Sequence, residues 1–349
     1  MRITSAATAL PNQCYSQQEL GAALKWYWGD RIENPRLVEV LHANVGVDRR
    51  YLTLPMEEYP GLDTWGKAND VWIETAEELG CQAICRALTR AGLGAHDIGA
   101  LFFVSITGIS SPSVDARLVN RMGLSPNVRR VPIFGLGCVG GAAGIARAAD
   151  YVRAYPDQVA ALLSVELCSL TWQRDDLSMA NLVSCALFGD GAAAVLVAGA
   201  ERDVPGPRII ATRSTFYPDT EDVMGWNVSE KGFGIVLSPE VPDVVREHLG
   251  RDTDAFLAEH GLTRADIGCW ILHTGGPKVL EATQEALGLE RSALAASWDC
   301  LRATGNLSSA SVLFVLEEIM THRRPEPGTW SVLAAMGPGF CSELVLLRW

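Results

Sequence analysis

Short apolar runs of strand type alternate with stretches of helical period along most of this chain. IGALFFVSI is followed by ARLVNRMGL, then RRVPIFGLG, then the Ala-rich helical stretch IARAADYVRAY. VAALLSVEL, the helical MANLVSCALF and the strand-like AAAVLVAG continue the series. The second half repeats the logic: RIIATRSTF, a helix around VPDVVREHL, the strand CWILHT, the helices KVLEATQEAL and SASVLFVLEEIM, and the closing strands WSVLAAM and SELVLLRW. Near-continuous apolar runs mark strands covered on both faces, and their alternation with helices predicts an α/β protein. Gly, Pro and charge cluster at GAERDVPGPR, a weak break that predicts two similar halves, 1–205 and 206–349, with a site where loops of both converge.

Composition narrows this picture. At 349 residues the chain is long for one hydrophobic core and short for three. Its 29 basic and 41 acidic residues give a net charge of −12, which argues against a nucleic-acid binder. The start MRITSAATALPNQCYS has too short an apolar run for a signal peptide, and no run reaches membrane-spanning length. Nine scattered cysteines, an odd number with no CxxC or Cys/His cluster, predict a reduced cytoplasmic protein without a metal site.

The sharpest chemical signal is PIFGLGCVGGAAGIARAAD, where a strand runs into glycines, a cysteine and a helix. Such a turn presents Cys138 at a helix N-terminus, where the macrodipole favours a thiolate. Gly135, Gly137 and Gly140 also spell GxGxxG, with Glu166 ending the next strand in the place of a ribose-binding acid. A nicotinamide-dependent dehydrogenase therefore stands as a rival reading, although the fingerprint usually opens a domain. His273 ends CWILHT before Gly275, Gly276 and Pro277, at a strand's carboxyl end. Asn306 precedes a helix in ATGNLSSASVLFVLEEIM, where a simple helix cap is the bland alternative.

Taken in order, the Cys138 turn, LFGDGAAAVLV, HTGGP, GNLSSA and the terminal GPGF resemble the type III polyketide synthases, the chalcone-synthase-like branch of the thiolase superfamily. The resemblance runs from about residue 100 to the end. It implies a thiolase-like fold, two α/β halves in a layered αβαβα core, and an acyltransferase acting as a homodimer. Cys138 would take an acyl group from a coenzyme A thioester. His273 and Asn306 would hold the thioester carbonyl of malonyl-CoA while it loses carbon dioxide, and His273 would help keep Cys138 ionised. No metal, nicotinamide or flavin is implied; acyl-CoA and malonyl-CoA are substrates.

The resemblance also assigns a cavity. Phe188 matches a gatekeeper phenylalanine and Ile235 replaces a second. Cys168 and Thr171 match threonines that line the cavity, Ser111 a methionine at the dimer interface, and Gly225 a glycine that sets cavity volume. Gly337, Pro338 and Gly339 match a loop that shapes the wall. The basic helix that holds coenzyme A in plant members has no basic residue in LVEVLHANV, so Lys278, Arg36 and Arg49 are the substitutes offered, and delivery by an acyl carrier protein stays open. Small residues at Ser111, Thr171, Gly225 and Ile235 suggest a fatty acyl starter and alkylpyrone or alkylresorcinol products. A ketoacyl synthase III-like enzyme, condensing once on a carrier protein, is the other alternative.

Overall fold

A computed structural model describes residues 1–32 and 34–349. Nine strands form one mixed sheet. Five come from the first part of the chain: Arg129–Ile133, Ile98–Val104, Val159–Leu167, Asp190–Ala198 and Arg2–Ala9, in that spatial order. Four follow from the second: Arg208–Phe216, Cys341–Arg348, Trp330–Gly337 and Ile267–Leu272. The two sets meet where Arg2–Ala9 runs antiparallel to Arg208–Phe216, and there only Arg2 and Arg208 are in register. So narrow a seam leaves the sets free to diverge and enclose helices between them.

The sequence explains the layering. In Val159–Leu167 every residue is buried. Ala160 and Leu162 face the core between the halves, while Val159, Ala161, Leu163, Val165 and Leu167 face an outer core. The same period-2 division sends Leu333 and Ala335 inward and Val332 and Ala334 outward on Trp330–Gly337. The inner core holds two buried helices, Gly140–Ala154 and Ser311–His322. Helix Trp65–Ala91 covers the outer face of the first set, and Val241–Ala258 with Pro277–Leu287 covers that of the second. The result is the αβαβα stack that two α/β halves require.

Gln17–Trp28 and Pro35–Asn44 lie outside this stack, the first opened by a capping box in which Ser16 and Glu19 satisfy each other's backbone. A hairpin of Met224–Ser229 and Gly232–Leu237 stands apart from the main sheet, and a ribbon pairs Gln13–Ser16 with Arg49–Leu52. Among the described residues no helix is long and apolar enough to cross a membrane.

Candidate active site

Cys138 lies in the tight turn Gly137–Val139 that leads into Gly140–Ala154. Gly137 has a φ of +51°, and a Cβ there would fall 2.7 Å from the Pro338 ring. A Cβ on Gly141 would fall 2.2 Å from the carbonyl of Ser309. Glycines thus let the turn of Cys138 press against both the GPG loop and the segment of Asn306. His273 follows Ile267–Leu272, and its N–H donates to the carbonyl of Ala334 at 3.1 Å, which fixes it at the strand end.

Asn306 is not a helix cap: Ala310 occupies the cap of Ser311–His322. Its backbone is bridged to that of Phe188, with its N–H on the Leu187 carbonyl at 2.9 Å and its carbonyl accepting from Gly189 at 3.0 Å. Its side-chain oxygen accepts from the Ser308 N–H at 2.8 Å and from Ser311 Oγ at 3.3 Å. That settles which end of the amide is oxygen and leaves the NH₂ turned toward the Gly275 carbonyl, at a long 3.5 Å, and the Cys138 sulfur.

Cys138, His273 and Asn306 line one cavity of about 660 Å³, with Phe188, Met336 and Phe340 among its apolar walls. Burial pushes the Cys138 thiol up to about 12, helped by Glu166, while Ser308 and Asn306 pull the other way. Burial alone takes His273 down to about 4. The thiol contacts Ser308 Oγ at 3.7 Å, and His273 Nδ1 has no partner among the described residues. Against the expectation that His273 keeps Cys138 ionised, burial disfavours charge on both groups and so favours thiol with neutral imidazole over an ion pair. A neutral imidazole is the form that can accept a proton.

Glu166 faces neither this cavity nor the next. It is wholly buried, accepting from Ser105 Oγ, Ile106 N and Thr107 Oγ1 at 3.1–3.3 Å and from Ser309 Oγ. Spent on those donors, it has no acceptor to offer a ribose. The glycines of the apparent dinucleotide fingerprint serve the Cys138 turn instead.

A second cavity, about 550 Å³, adjoins the first at Phe188, which lines both. Cys168, Thr171 and Ile235 line it; Ser111 and Gly225 line neither cavity. In the hairpin Ile235 pairs with Trp226 and Val236 with Gly225, so side-chain alternation gives the cavity wall to Trp226. A Cβ on Gly225 would meet no atom within 4 Å. Gly337, Pro338 and Gly339 likewise line no cavity: a Cβ on Gly337 would fall 2.6 Å from Val139 N, so the loop backs the Cys138 turn while its neighbours Met336 and Phe340 form the wall. Of the basic residues offered for the entrance, Lys278 stands on the first cavity's wall. Arg36 is exposed on its helix, and Arg49 lies at a separate depression with Asp48 and Arg302. Sequence reasoning missed Trp226 and Arg50. For Arg50 the signal was the alternation of RRYL, which turns Arg49 out and Arg50 in. Among the described residues no group of three or more His, Cys, Asp or Glu side chains is placed to hold a metal.

Comparison with known proteins places this geometry. Residues 2–201 match the family "Chalcone and stilbene synthases, N-terminal domain", and residues 208–349 match the corresponding C-terminal domain. A 1,3,6,8-tetrahydroxynaphthalene synthase of Streptomyces peucetius subsp. caesius is 52% identical over 99% of this chain and 93% of its own length. A Mycobacterium tuberculosis protein described as alpha-pyrone synthesis polyketide synthase-like Pks18 is 32% identical over 79% of this chain and 71% of its own. The crystal structure of 1,3,6,8-tetrahydroxynaphthalene synthase from Streptomyces coelicolor A3(2), a bacterial type III polyketide synthase, superposes with a TM-score of 0.95 at 32% identity, covering 100% of this chain and 99% of that one. The layered fold, the matches across both halves and these relatives together make this chain a member of the chalcone and stilbene synthase family, a type III polyketide synthase and thus an acyltransferase.

Proposed function

We propose that Cys138, His273 and Asn306 carry the condensation. The observation behind this is that Cys138 and, more than a hundred residues further along the chain, His273 and Asn306 line one largely apolar cavity. His273 takes the thiol proton as Cys138 attacks an acyl-CoA and passes it to the departing sulfur, so that coenzyme A leaves as the free thiol. The NH₂ of Asn306 and an N–H of the imidazole then donate to the malonyl thioester oxygen as carbon dioxide leaves. The resulting carbanion attacks the carbonyl of acyl–Cys138, and the acyl–sulfur bond breaks to release the Cys138 thiolate. Lys278 is the one charged residue offered to the coenzyme A side; delivery by a carrier protein belongs to the same reading as the alternative donor. The division into halves at 205/206 is supported by the separate matches on either side of it.

For the product, 1,3,6,8-tetrahydroxynaphthalene is the best-supported assignment, resting on the 52% identity to a synthase so named. All ten carbons of that product lie in rings, so the carbon at the chain end must form at least one new ring bond. A malonyl starter provides an activated methylene there, which an acetyl methyl does not. The second reading, a fatty acyl starter with alkylpyrone or alkylresorcinol release, is favoured by the apolar part of the second cavity, including Leu20, Leu24, Phe233 and Ile235. Incubation with malonyl-CoA alone decides between them. Tetrahydroxynaphthalene is expected; no product until an octanoyl- to palmitoyl-CoA is supplied would transfer the assignment to the second reading.

A homodimer belongs to the same proposal. Arg129–Ile133 is an edge strand with Val131 exposed, and Ile109 and Phe134 beside it are 48% and 51% exposed. Action in the cytoplasm is the setting that acyl-CoA substrates suggest.

A further inference from the structure

Arg50 is 4% exposed and lines the second cavity beside Tyr59, Phe188 and Trp226. Its Nε donates to Gln17 Oε1 at 3.0 Å and its Nη1 to the Phe188 carbonyl at 2.8 Å. Nη2 has no acceptor, and no carboxylate lies within 4.0 Å of the guanidinium among the described residues. The acid whose field reaches it, Asp190, is fully committed: it accepts from Thr53 N and Oγ1 at 2.7 Å, from Ser169 N at 2.8 Å and from Ser169 Oγ. Burial lowers Arg50 only to about 10, so the cation persists at neutral pH. A buried charge without a counter-ion is costly, and a guanidinium with an open edge is suited to a carboxylate.

We propose that Arg50 is the anion subsite of the second cavity, binding through Nη2 the carboxylate at the far end of a chain primed with malonyl on Cys138. This rests on the malonyl-primed reading above. Each condensation lengthens the chain by two carbons, roughly 2.5 Å, and moves that end away from Cys138. Past Phe188 the end enters a cavity whose wall carries this unpaired cation. A neutral alkyl chain gains nothing from Arg50, so the residue favours starters that carry a carboxylate. It also tethers the Phe188 backbone, so the test must separate recognition from support.

Wild type, Arg50→Lys and Arg50→Gln are supplied with malonyl-CoA alone or with hexanoyl-CoA plus malonyl-CoA, and the two product series are quantified. Loss of one charge-assisted hydrogen bond should lower malonyl-primed relative to hexanoyl-primed product by about ten- to a hundredfold in Arg50→Gln, with Arg50→Lys between. If both series fall in proportion, Arg50 is only a support and the proposal is overturned. If wild type makes no malonyl-primed product, the malonyl reading itself has failed. Sodium malonate then decides the subsite: it should raise the melting temperature of wild type above that in acetate of equal ionic strength, and not that of Arg50→Gln. Equal shifts in the two proteins would overturn it.

Discussion

At the scale of single residues the site works through burial as much as through identity. Cys138→Ala should abolish the acyl adduct that intact-protein mass spectrometry detects after exposure to an acyl-CoA, whereas Cys168→Ala should keep it. An adduct that survives in Cys138→Ala would overturn the nucleophile. On the proposed mechanism Asn306→Ala removes a donor to the enolate oxygen, so malonyl decarboxylation should fall on the order of 10²–10³ while acyl loading persists. Equal retention of both half-reactions would reduce Asn306 to a turn-former. Glu166 makes a different kind of prediction. Burial pushes it up to about 7 from an ordinary 4.5, so between those values the folded state binds more protons than the unfolded one. Stability from this group therefore falls as pH rises through that window. Glu166→Gln removes the dependence, and its melting temperature should gain on wild type from about pH 5 to about pH 8. A gap that stays constant with pH would show that Glu166 is not the group responsible.

At the scale of elements, contact and register decide what a substitution does. Gly141 sits where helix Gly140–Ala154 meets the Ser309 carbonyl, so Gly141→Ala should destabilise by about 1–3 kcal/mol and disturb Asn306 through the same turn. Denaturant melts read the first effect and decarboxylation the second. The hairpin offers a paired test: Trp226→Ala should open the second cavity and lengthen the acyl starters accepted, whereas Gly225→Leu should leave starter choice unchanged, its side chain meeting open space. A reversed pattern in acyl-CoA competition would mean that the hairpin register assigned above is wrong. These cases also mark how far the sequence could be read. The strands from Ile98 onward announced themselves, because covering both faces demands unbroken apolar runs such as VAALLSVEL. Cys138, His273 and Asn306 were legible because each sits beside glycine punctuation at an element's end. Gly225 was misplaced because a motif gives position along the chain, whereas a one-residue step on a strand reverses the face; the GPG loop backs the Cys138 turn and leaves the wall to its neighbours. The alternation of RRYL could mark Arg50 as buried but not its role, which lies in which partners it lacks.

At the scale of the whole molecule the edges of the sheet matter. Arg129–Ile133 pairs with a neighbour on one side only, and Val131→Asp should prevent two copies from joining there. Light scattering on the eluting protein should find wild type as a dimer and the variant as a monomer; a monomeric wild type would remove the dimer from the proposal. The opposite problem arises at the middle of the sheet, where Arg2–Ala9 lies between Asp190–Ala198 and Arg208–Phe216. Both neighbours of this strand lie some two hundred residues further along the chain. At about 5–20 residues per second, the wait for those strands is on the order of 10–40 s. Throughout that interval a small-residue, apolar segment stays without hydrogen-bonding partners, and the first α/β half cannot complete its sheet. In this polyketide synthase Arg2–Ala9 can therefore be inserted only between strands made long after it, and until then depends on whatever keeps it from pairing elsewhere.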